Sequence, residues 1–375
     1  MKKGYKRLLY FESIIFLVLI LNSFVWNILN KYTILLFIGI ILILFKIFFG
    51  FEKDKHRYTK DIIMDTIIFL LIYFMCYYLL GVIISFASSG NHYTIEGFKT
   101  FIIPIIIQVI LVEYLRYVMM CKSEGNIITM ISTILLITLI DTTSAIYYAD
   151  FTSSYGLFKL IALTILPALS RNIGFSYLVL KTGFKPLIVY QLVMGLYYYL
   201  IPIVPNPNEY LSSIILFCVP IIYCYKRNTF FQKTHDREIE RDYRKKSIVP
   251  LLTSTAIVII IVVLTSGYFH LWAIAVASGS MAPKINKGDV VIIEKINNNI
   301  NKLKKGDVIA FKYKDVVVVH RLTNIIVEKD EYYFYTKGDA NSHEDSFIVE
   351  KDMIVGLVNY KIPFIGLPTV WLNEL

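Results

Sequence analysis

Nine apolar stretches, beginning near residues 8, 33, 62, 99, 126, 157, 186, 209 and 249, fill most of the chain up to Phe269. Each approaches the roughly 20 residues that an α-helix needs to cross the hydrocarbon core of a bilayer. A helix on the surface of a soluble domain keeps a polar face to water, and these runs have none. The reading is therefore a polytopic α-helical membrane bundle. It has nine spans, or eight if Pro167, Ser170, Arg171 and Asn172 turn the stretch 157–181 into a re-entrant loop. Composition agrees, with 56% hydrophobic residues and a mean hydropathy of +0.60 over 375 residues. The 28 Tyr and 25 Phe suit the boundary between lipid and water, where rings with one polar edge are favoured.

The formal charge of +10 invites a nucleic-acid reading, but the basic residues cluster beside apolar stretches, at 1–7, 53–60 and 226–246. Retention of those loops in the cytoplasm explains the clusters better, and no nucleic-acid partner is expected. Nine spans place all three clusters on one side and leave the nearly Lys- and Arg-free loops 87–97 and 149–156 on the other. The first run is too long and lacks a small-residue cleavage site, so it reads as a retained helix. The domain plan is a multi-span membrane region over 1–225 with about eight helices, a charged cytoplasmic linker over 226–247, an anchor helix over 248–269 and a final domain over 270–375. The linker, dense in both signs, reads as a solvated helix with paired charges.

After residue 270 the pattern changes. Short runs at 289–294, 307–311, 316–320 and 332–335 are rich in Val, Ile, Phe and Tyr and are separated by Gly, Asn and Lys, which predicts a mainly β domain. Cys76, Cys121, Cys218 and Cys224 all precede it, so this domain holds no disulfide and depends on its own core. With no Cys and few His in it, no metal site and no cofactor are expected.

Three blocks in this domain carry chemistry when taken together: Ser278-Gly279-Ser280-Met281 with Pro283 and Gly288-Asp289, then His320-Arg321, then Thr336-Lys337-Gly338-Asp339 with Asn341 and Asp345. Singly, each is an ordinary surface serine, structural histidine or turn. In this order and spacing, residues 260–370 resemble the type I signal peptidases, in the branch found in the endoplasmic reticulum, archaea and some Gram-positive bacteria. His320 stands where the bacterial branch has Lys, and that residue assigns the branch. Ala282 and Ala340 depart from the family, which commonly has an acid at the first position and often Asn at the second.

The chemical requirements can be stated apart from the name. A serine hydroxyl needs a base within hydrogen-bond reach, and a neutral imidazole serves near neutral pH, so Ser280 is the candidate nucleophile and His320 the candidate base. A carboxylate must orient the ring and offset its charge; Asp345 is the first choice and Asp339 the second. The resemblance implies an oxyanion site made by the Ser280 N–H and the Ser278 hydroxyl. Gly279 and Met281 would lie against the substrate, Gly279 by permitting close approach. The strand ending at His320 would pair with an extended substrate, with Val317 and Val319 beside it, although burial in the core is the competing use of those valines. His343 reads as a loop residue.

The expected function is a membrane-bound serine endopeptidase that cleaves signal peptides from exported preproteins. It would be a multi-pass protein of the cell membrane with its mainly β peptidase domain extracytoplasmic. Its partners would be signal peptides, membrane lipid and, as a further candidate, the secretion translocon. The alternative is a polytopic transporter or sensor whose β domain only binds peptides. Within the bundle, Glu113 and Arg116 lie one turn apart and are placed to pair, and Asp141, Lys159 and Arg171 are further polar groups at or near membrane depth. Residues 171–199 partly resemble CPBP-type intramembrane proteases, yet Gln191 and Tyr197 stand where those enzymes need histidines. A scaffold or partner-binding bundle is expected there.

Overall fold

A computed structural model of the chain describes residues 4–23, 32–50, 54, 56, 59–89, 94–233, 249–296, 300–314, 316–328, 331–367 and 369–370. The chain divides into two compact units, one of residues 1–77 and 87–249 and one of 78–86 and 250–375. The expected anchor thus belongs to the same unit as the β domain, as does the end of the third helix.

Each of the nine apolar stretches forms a helix among the described residues: α1 Gly4–Leu21, α2 Thr33–Phe49, α3 Thr59–Ile84, α4 Ile95–Lys122, α5 Ile127–Tyr147, α6 Ser154–Thr182, α7 Lys185–Leu200, α8 Glu209–Lys233 and α9 Val249–Thr265. Five of them, α3, α4, α5, α6 and α8, are long and apolar enough to cross a membrane, whereas α2 and α9 are apolar but shorter, at 17 residues each. The anchor stops at Thr265 rather than at 269. Helix α8 runs on through Lys226 to Lys233, into the segment read as a linker, because nothing between those residues breaks a helix. Residues 234–248 of that segment lie outside the described residues, as do 1–3 and residues 53, 55, 57 and 58 of the basic cluster 53–60.

The stretch 157–181 is no re-entrant loop. It lies within α6, continuous apart from a π-helical segment at Lys159–Ile165, just before Pro167. Helix α4 repeats the arrangement, with a π segment at Phe98–Ile102 before Pro104. A proline has no N–H for the carbonyl four residues back, and a wider turn before it accommodates that loss. The polar residues that looked like interruptions point inward. Ser170 donates to the Phe217 carbonyl at 2.8 Å, and Arg171 pairs with Asp141 at 2.7 Å. Glu113 and Arg116 pair as expected, at 3.1 Å and fully buried.

The second unit is built on a seven-stranded sheet in the order β3-β4-β9-β5-β6-β7-β8, with β3 Leu271–Ala275, β4 Val290–Lys295, β5 Val308–Tyr313, β6 Val316–Glu328, β7 Glu331–Lys337, β8 Val349–Glu350 and β9 Ile354–Ile362. Two further short strands, β1 Phe86–Ser88 and β2 Ile203–Pro205, pair with each other. All six strand pairings of the larger sheet are antiparallel among the described residues. Alternation along each strand divides the core between two clusters. On β5, Ile309 and Phe311 join Leu322, Phe334 and Val349, while Ala310 between them joins Val276, Met281, Val291, Ile293 and Val319. Gly356 of β9 lies so close to the Glu294 carbonyl that an added Cβ would overlap it, so the β4–β9 pairing needs glycine there.

Phe334 is fully buried in the first cluster. Truncating such a ring removes its transfer free energy and leaves a cavity, so Phe334→Ala should destabilise this unit by about 3–5 kcal/mol. Near-UV circular dichroism during thermal unfolding of the full chain in detergent measures the effect.

Candidate active site

Ser280 lies in the turn that joins β3 to β4. The base of that turn is closed by Val276 N to Asp289 O, at 2.9 Å, and Gly288 N to Val276 O, at 2.8 Å. Asp289 is buried, and its side chain accepts the Asn286 N–H at 2.9 Å and the Phe364 N–H at 3.3 Å, with Lys361 Nζ at 3.6 Å. The Asn286 N–H above all, helped by Phe364 and Lys361, holds this carboxyl below the usual carboxylate range. Met281 is only 1% exposed and packs in the second cluster, which pins the residue next to the serine. Ser280 itself is partly exposed, and a Cβ added at Gly279 would meet nothing within 4 Å.

His320 stands on β6 at the point where the pairing changes. From Val316 to Arg321 the strand pairs with β5, but its pairing with β7 begins only at Arg321, opposite Lys337. The edge of residues 316–320 that faces away from β5 therefore has no strand on it among the described residues. The loop after β7 brings the acids: Asp345 N donates to Thr336 O at 2.9 Å, and Ala340 N donates to Ser280 O at 2.8 Å. Gly338 makes that approach possible, since a Cβ there would come within 2.6 Å of Ser280 O and 2.7 Å of Asn341 Nδ2.

These supports align three side chains. Ser280 Oγ is 3.2 Å from His320 Nε2, and His320 Nδ1 is 2.6 Å from Asp345 Oδ2. The imidazole is buried, 8% exposed, with its ring 6.3 Å from that of Phe311. Ser278 Oγ lies 3.2 Å from Ser280 Oγ. Such a line gives a hydroxyl, a base able to take its proton, and a carboxylate to orient that base.

A comparison with known proteins agrees with this geometry: residues 248–358 match the family profile described as signal peptidase, peptidase S26. A curated relative from Candida tropicalis, named signal peptidase complex catalytic subunit SEC11, is 30% identical over 115 residues, which is 28% of this chain and 68% of the relative. The chain belongs to the signal peptidase S26 family. The SEC11 catalytic subunit of Plasmodium falciparum is likewise 30% identical, over 111 residues, and this chain spans 58% of its length. Signal peptidase I W of Bacillus subtilis is 37% identical over 81 residues, 21% of this chain and 42% of that relative.

Within this S26 domain, the two acids expected as partners of the histidine have different neighbours. Asp345 meets His320, whereas Asp339 makes a forked pair with Arg321, at 2.7 Å to Nε and 2.6 Å to Nη2. The Arg321 guanidinium holds the Asp339 carboxyl below the usual range, and Asp339 in turn raises Arg321. Three expected substrate contacts face inward instead. Met281 is in the core, Val319 is 8% exposed, and Val317 packs against the same cluster, because alternate residues of β6 on that face cover the sheet. Besides the exposed Val316 side chain, what this strand leaves open at residues 316–320 is its backbone edge.

One contact was not legible as such in the sequence. Thr336, 1% exposed, donates its hydroxyl to Asp345 Oδ2 at 2.6 Å, so the same oxygen that meets the imidazole is also held from behind. Its place in the Thr336–Asp339 block was the only available signal. Similarly, Arg321 Nη1 donates to the Gly306 carbonyl at 2.7 Å, which ties the pair with Asp339 to the turn before β5.

Asp339 yields a pH prediction. A carboxyl with a lowered folded value contributes stability above its unfolded value, near 3.9, and loses it as pH falls through the folded one. Asp339→Asn should therefore be less stable than the parent at neutral pH and should lose less stability on acidification below about pH 4. Unfolding midpoints against pH for the two proteins decide this.

Proposed function

We propose that the chain is a membrane-bound serine endopeptidase that cleaves signal peptides from exported preproteins, with Ser280 as nucleophile, His320 as general base and Asp345 as its orienting acid. The observation that carries this reading is the alignment of Ser280 Oγ, His320 and Asp345 at 3.2 and 2.6 Å. Membership of the S26 family and the names of the SEC11 relatives support the substrate class.

The scissile peptide lies extended along the open edge of β6 and bonds through its backbone, which accepts many sequences and leaves selection to small residues near the cut. Ser280 Oγ attacks the carbonyl carbon while His320 Nε2 takes the hydroxyl proton. The Nδ1–H, bonded to Asp345, keeps the lone pair of Nε2 aimed at the serine and stabilises the imidazolium that forms. The Ser280 N–H and the Ser278 hydroxyl meet the negative oxygen of the tetrahedral intermediate. Collapse breaks the C–N bond, and Nε2–H gives its proton to the leaving amine. Water then enters by the same route in reverse, with His320 again as base, and frees the acid product. No cofactor is required at any step. Gly279 leaves open space beside the nucleophile for the substrate chain.

The helices fit a multi-pass protein of the cell membrane. The basic clusters favour the cytoplasmic side for the loops that carry them, and α9 then leads to a peptidase domain on the outer face, where a translocated precursor presents its cleavage site. Membrane lipid surrounds the helices, and the secretion translocon is a candidate partner. A domain that merely bound peptides would need no relay from carboxylate through imidazole to hydroxyl.

Ser280→Ala and His320→Ala should each abolish cleavage of a secreted precursor in reconstituted membranes while the protein still inserts; full activity in Ser280→Ala would overturn the mechanism. Asp345→Asn should lower kcat by about 10³–10⁴-fold, the scale seen when such an acid is neutralised without altering the geometry. Thr336→Val should act through Asp345 alone. It should lower kcat about tenfold and leave KM unchanged, the scale of one lost hydrogen bond, as initial-rate assays on a signal-peptide substrate would register.

A further inference from the structure

The helical unit contains a cavity of about 300 Å³, lined by α4, α5, α6, α7 and α8. Its wall is mostly apolar, with Ile105, Val109, Met194 and Leu216, and carries a group of polar side chains that includes Gln108, Asp141, Arg171 and Gln191. Hydrogen bonds behind the wall join several of these. Gln191 Nε2 donates to Glu113 at 2.6 Å, Glu113 pairs with Arg116, Arg116 Nη2 donates to Asn172 Oδ1 at 2.7 Å, and Asn172 Nδ2 donates to Asp141 Oδ2 at 3.0 Å. This chain of bonds fixes Gln191 of α7 relative to Asp141 of α5, so the polar part of the wall is set before anything enters.

The ion pair at this wall is only half used. Arg171 Nη2 donates to Asp141 Oδ2 at 2.7 Å, and the same oxygen takes the bond from Asn172, whereas Arg171 Nη1 and Asp141 Oδ1 have no hydrogen-bond partner among the described residues. Both side chains keep accessible surface, 28% for Arg171 and 14% for Asp141. Gln191 and Gln108 are half-buried; the first keeps a carbonyl oxygen that its bond to Glu113 does not use, and the second has an amide with no partner among the described residues. The wall thus offers two donors, Arg171 Nη1 and Gln108 Nε2, and two acceptors, Asp141 Oδ1 and Gln191 Oε1, beside an apolar surface. Charge narrows what completes them. Arg171 and Asp141 cancel, so a lone anion would meet the carboxylate as well as the guanidinium, and a lone cation the reverse. A molecule that carries both signs meets each with its opposite. Hydrogen bonds with ionised partners are about twice as strong as neutral ones, which favours such a molecule over a neutral amide or ester.

We propose that this cavity binds a zwitterionic α-amino acid with an apolar side chain. The carboxylate accepts from Arg171 Nη1 and Gln108 Nε2, the ammonium donates to Asp141 Oδ1 and Gln191 Oε1, and the side chain lies against Ile105, Val109, Met194 and Leu216. The volume falls at the small end of ordinary ligand sites and suits a single amino acid of medium size. This site is built wholly from the helical unit and does not depend on the peptidase mechanism.

The test uses the full chain in detergent micelles, with radiolabelled L-leucine as the probe and equilibrium dialysis as the readout. Saturable binding at one site per chain is expected. Three analogues of the same shape compete: N-acetyl-leucine amide has neither charge, isocaproate only the negative one and isoamylamine only the positive one. Each should bind at least about tenfold more weakly than leucine, the scale of a lost hydrogen bond to a charged group. Gln108→Leu should weaken leucine binding by about tenfold on the same scale and leave the unfolding temperature of the ligand-free protein unchanged, because that amide has no partner to lose. Val109→Phe, which fills the cavity from α4, should abolish binding in a protein whose ligand-free unfolding temperature shows that it folds. Absence of saturable binding up to the solubility of leucine overturns the proposal, as does any analogue that competes as well as leucine itself. Unchanged affinity in both variants also overturns it, by placing the bound leucine elsewhere.

Discussion

The active-site geometry hangs on one main-chain hydrogen bond, from Ala340 N to Ser280 O at 2.8 Å. Ser280 sits on a turn between β3 and β4, and Asp345 on a loop after β7, so the two arrive from different parts of the sheet. The bond joins those loops on either side of His320, and it can form only because residue 338 is a glycine. Strand pairing does the rest. Leu322 stands opposite Thr336, with the register shift only beyond it, so the strand that carries the histidine and the strand that leads to the acid are fixed against each other. Thr336 then aims Asp345 Oδ2 at the ring. The strand pairing and the tie at the Ser280 carbonyl together leave Ser280 Oγ 3.2 Å from His320 Nε2.

In the helical unit the governing constraint is the cost of an ionised group away from water. Glu113 and Arg116 are fully buried, and every guanidinium nitrogen of Arg116 is bonded: Nε to Glu113, Nη1 to the Asn172 carbonyl and Ser176, Nη2 to Glu113 and to Asn172 Oδ1. Such completeness is what makes a buried pair tolerable, since desolvation otherwise exceeds the Coulombic gain. Asp65 with Arg227 and Asp141 with Arg171 follow the same logic of paired signs across helices. Polar groups of this kind specify which helix faces meet, because an apolar face alone has no preferred rotation in an apolar solvent.

The helices were legible because length and apolarity are local properties, and each of the nine stretches yielded one. Their depth was not. Pro167, Ser170, Arg171 and Asn172 look like a break in a one-dimensional reading, yet a π segment takes up the proline and the polar side chains find partners on α5 and α8, which no local pattern records. In the β unit the alternating or β-branched runs at 289–294, 307–311, 316–320 and 332–335 led to β4, β5, β6 and β7. Strand β3 escaped because it continues the apolar run of α9 with little change in composition, and β9 because Gly356, Asn359 and Lys361 disguise its alternation. That Ser280, His320 and Asp345 come close to one another followed from the resemblance their blocks carry, whereas the inward aim of Met281, Val317 and Val319 depended on which face of the sheet is covered. Sequence leaves that face open, since a one-residue change of register exchanges the two.

The same dependence explains why two aspartates only a few positions apart have unlike surroundings. Asp339 faces a guanidinium, which stays charged at any ordinary pH and whose planar fork matches a carboxylate in two bonds. A carboxylate so held has little left to offer a neighbouring imidazole. Asp345 instead faces a histidine and a threonine hydroxyl, at 2.6 Å each. Because Arg321 directly follows His320 on β6, adjacent side chains leave the strand on opposite sides. Each therefore meets a different acid of the same loop, Arg321 pairing with Asp339 and His320 with Asp345. Two adjacent residues, His320 and Arg321, thus hold two points of one loop, and the forked Arg321–Asp339 pair leaves Asp345 to the imidazole.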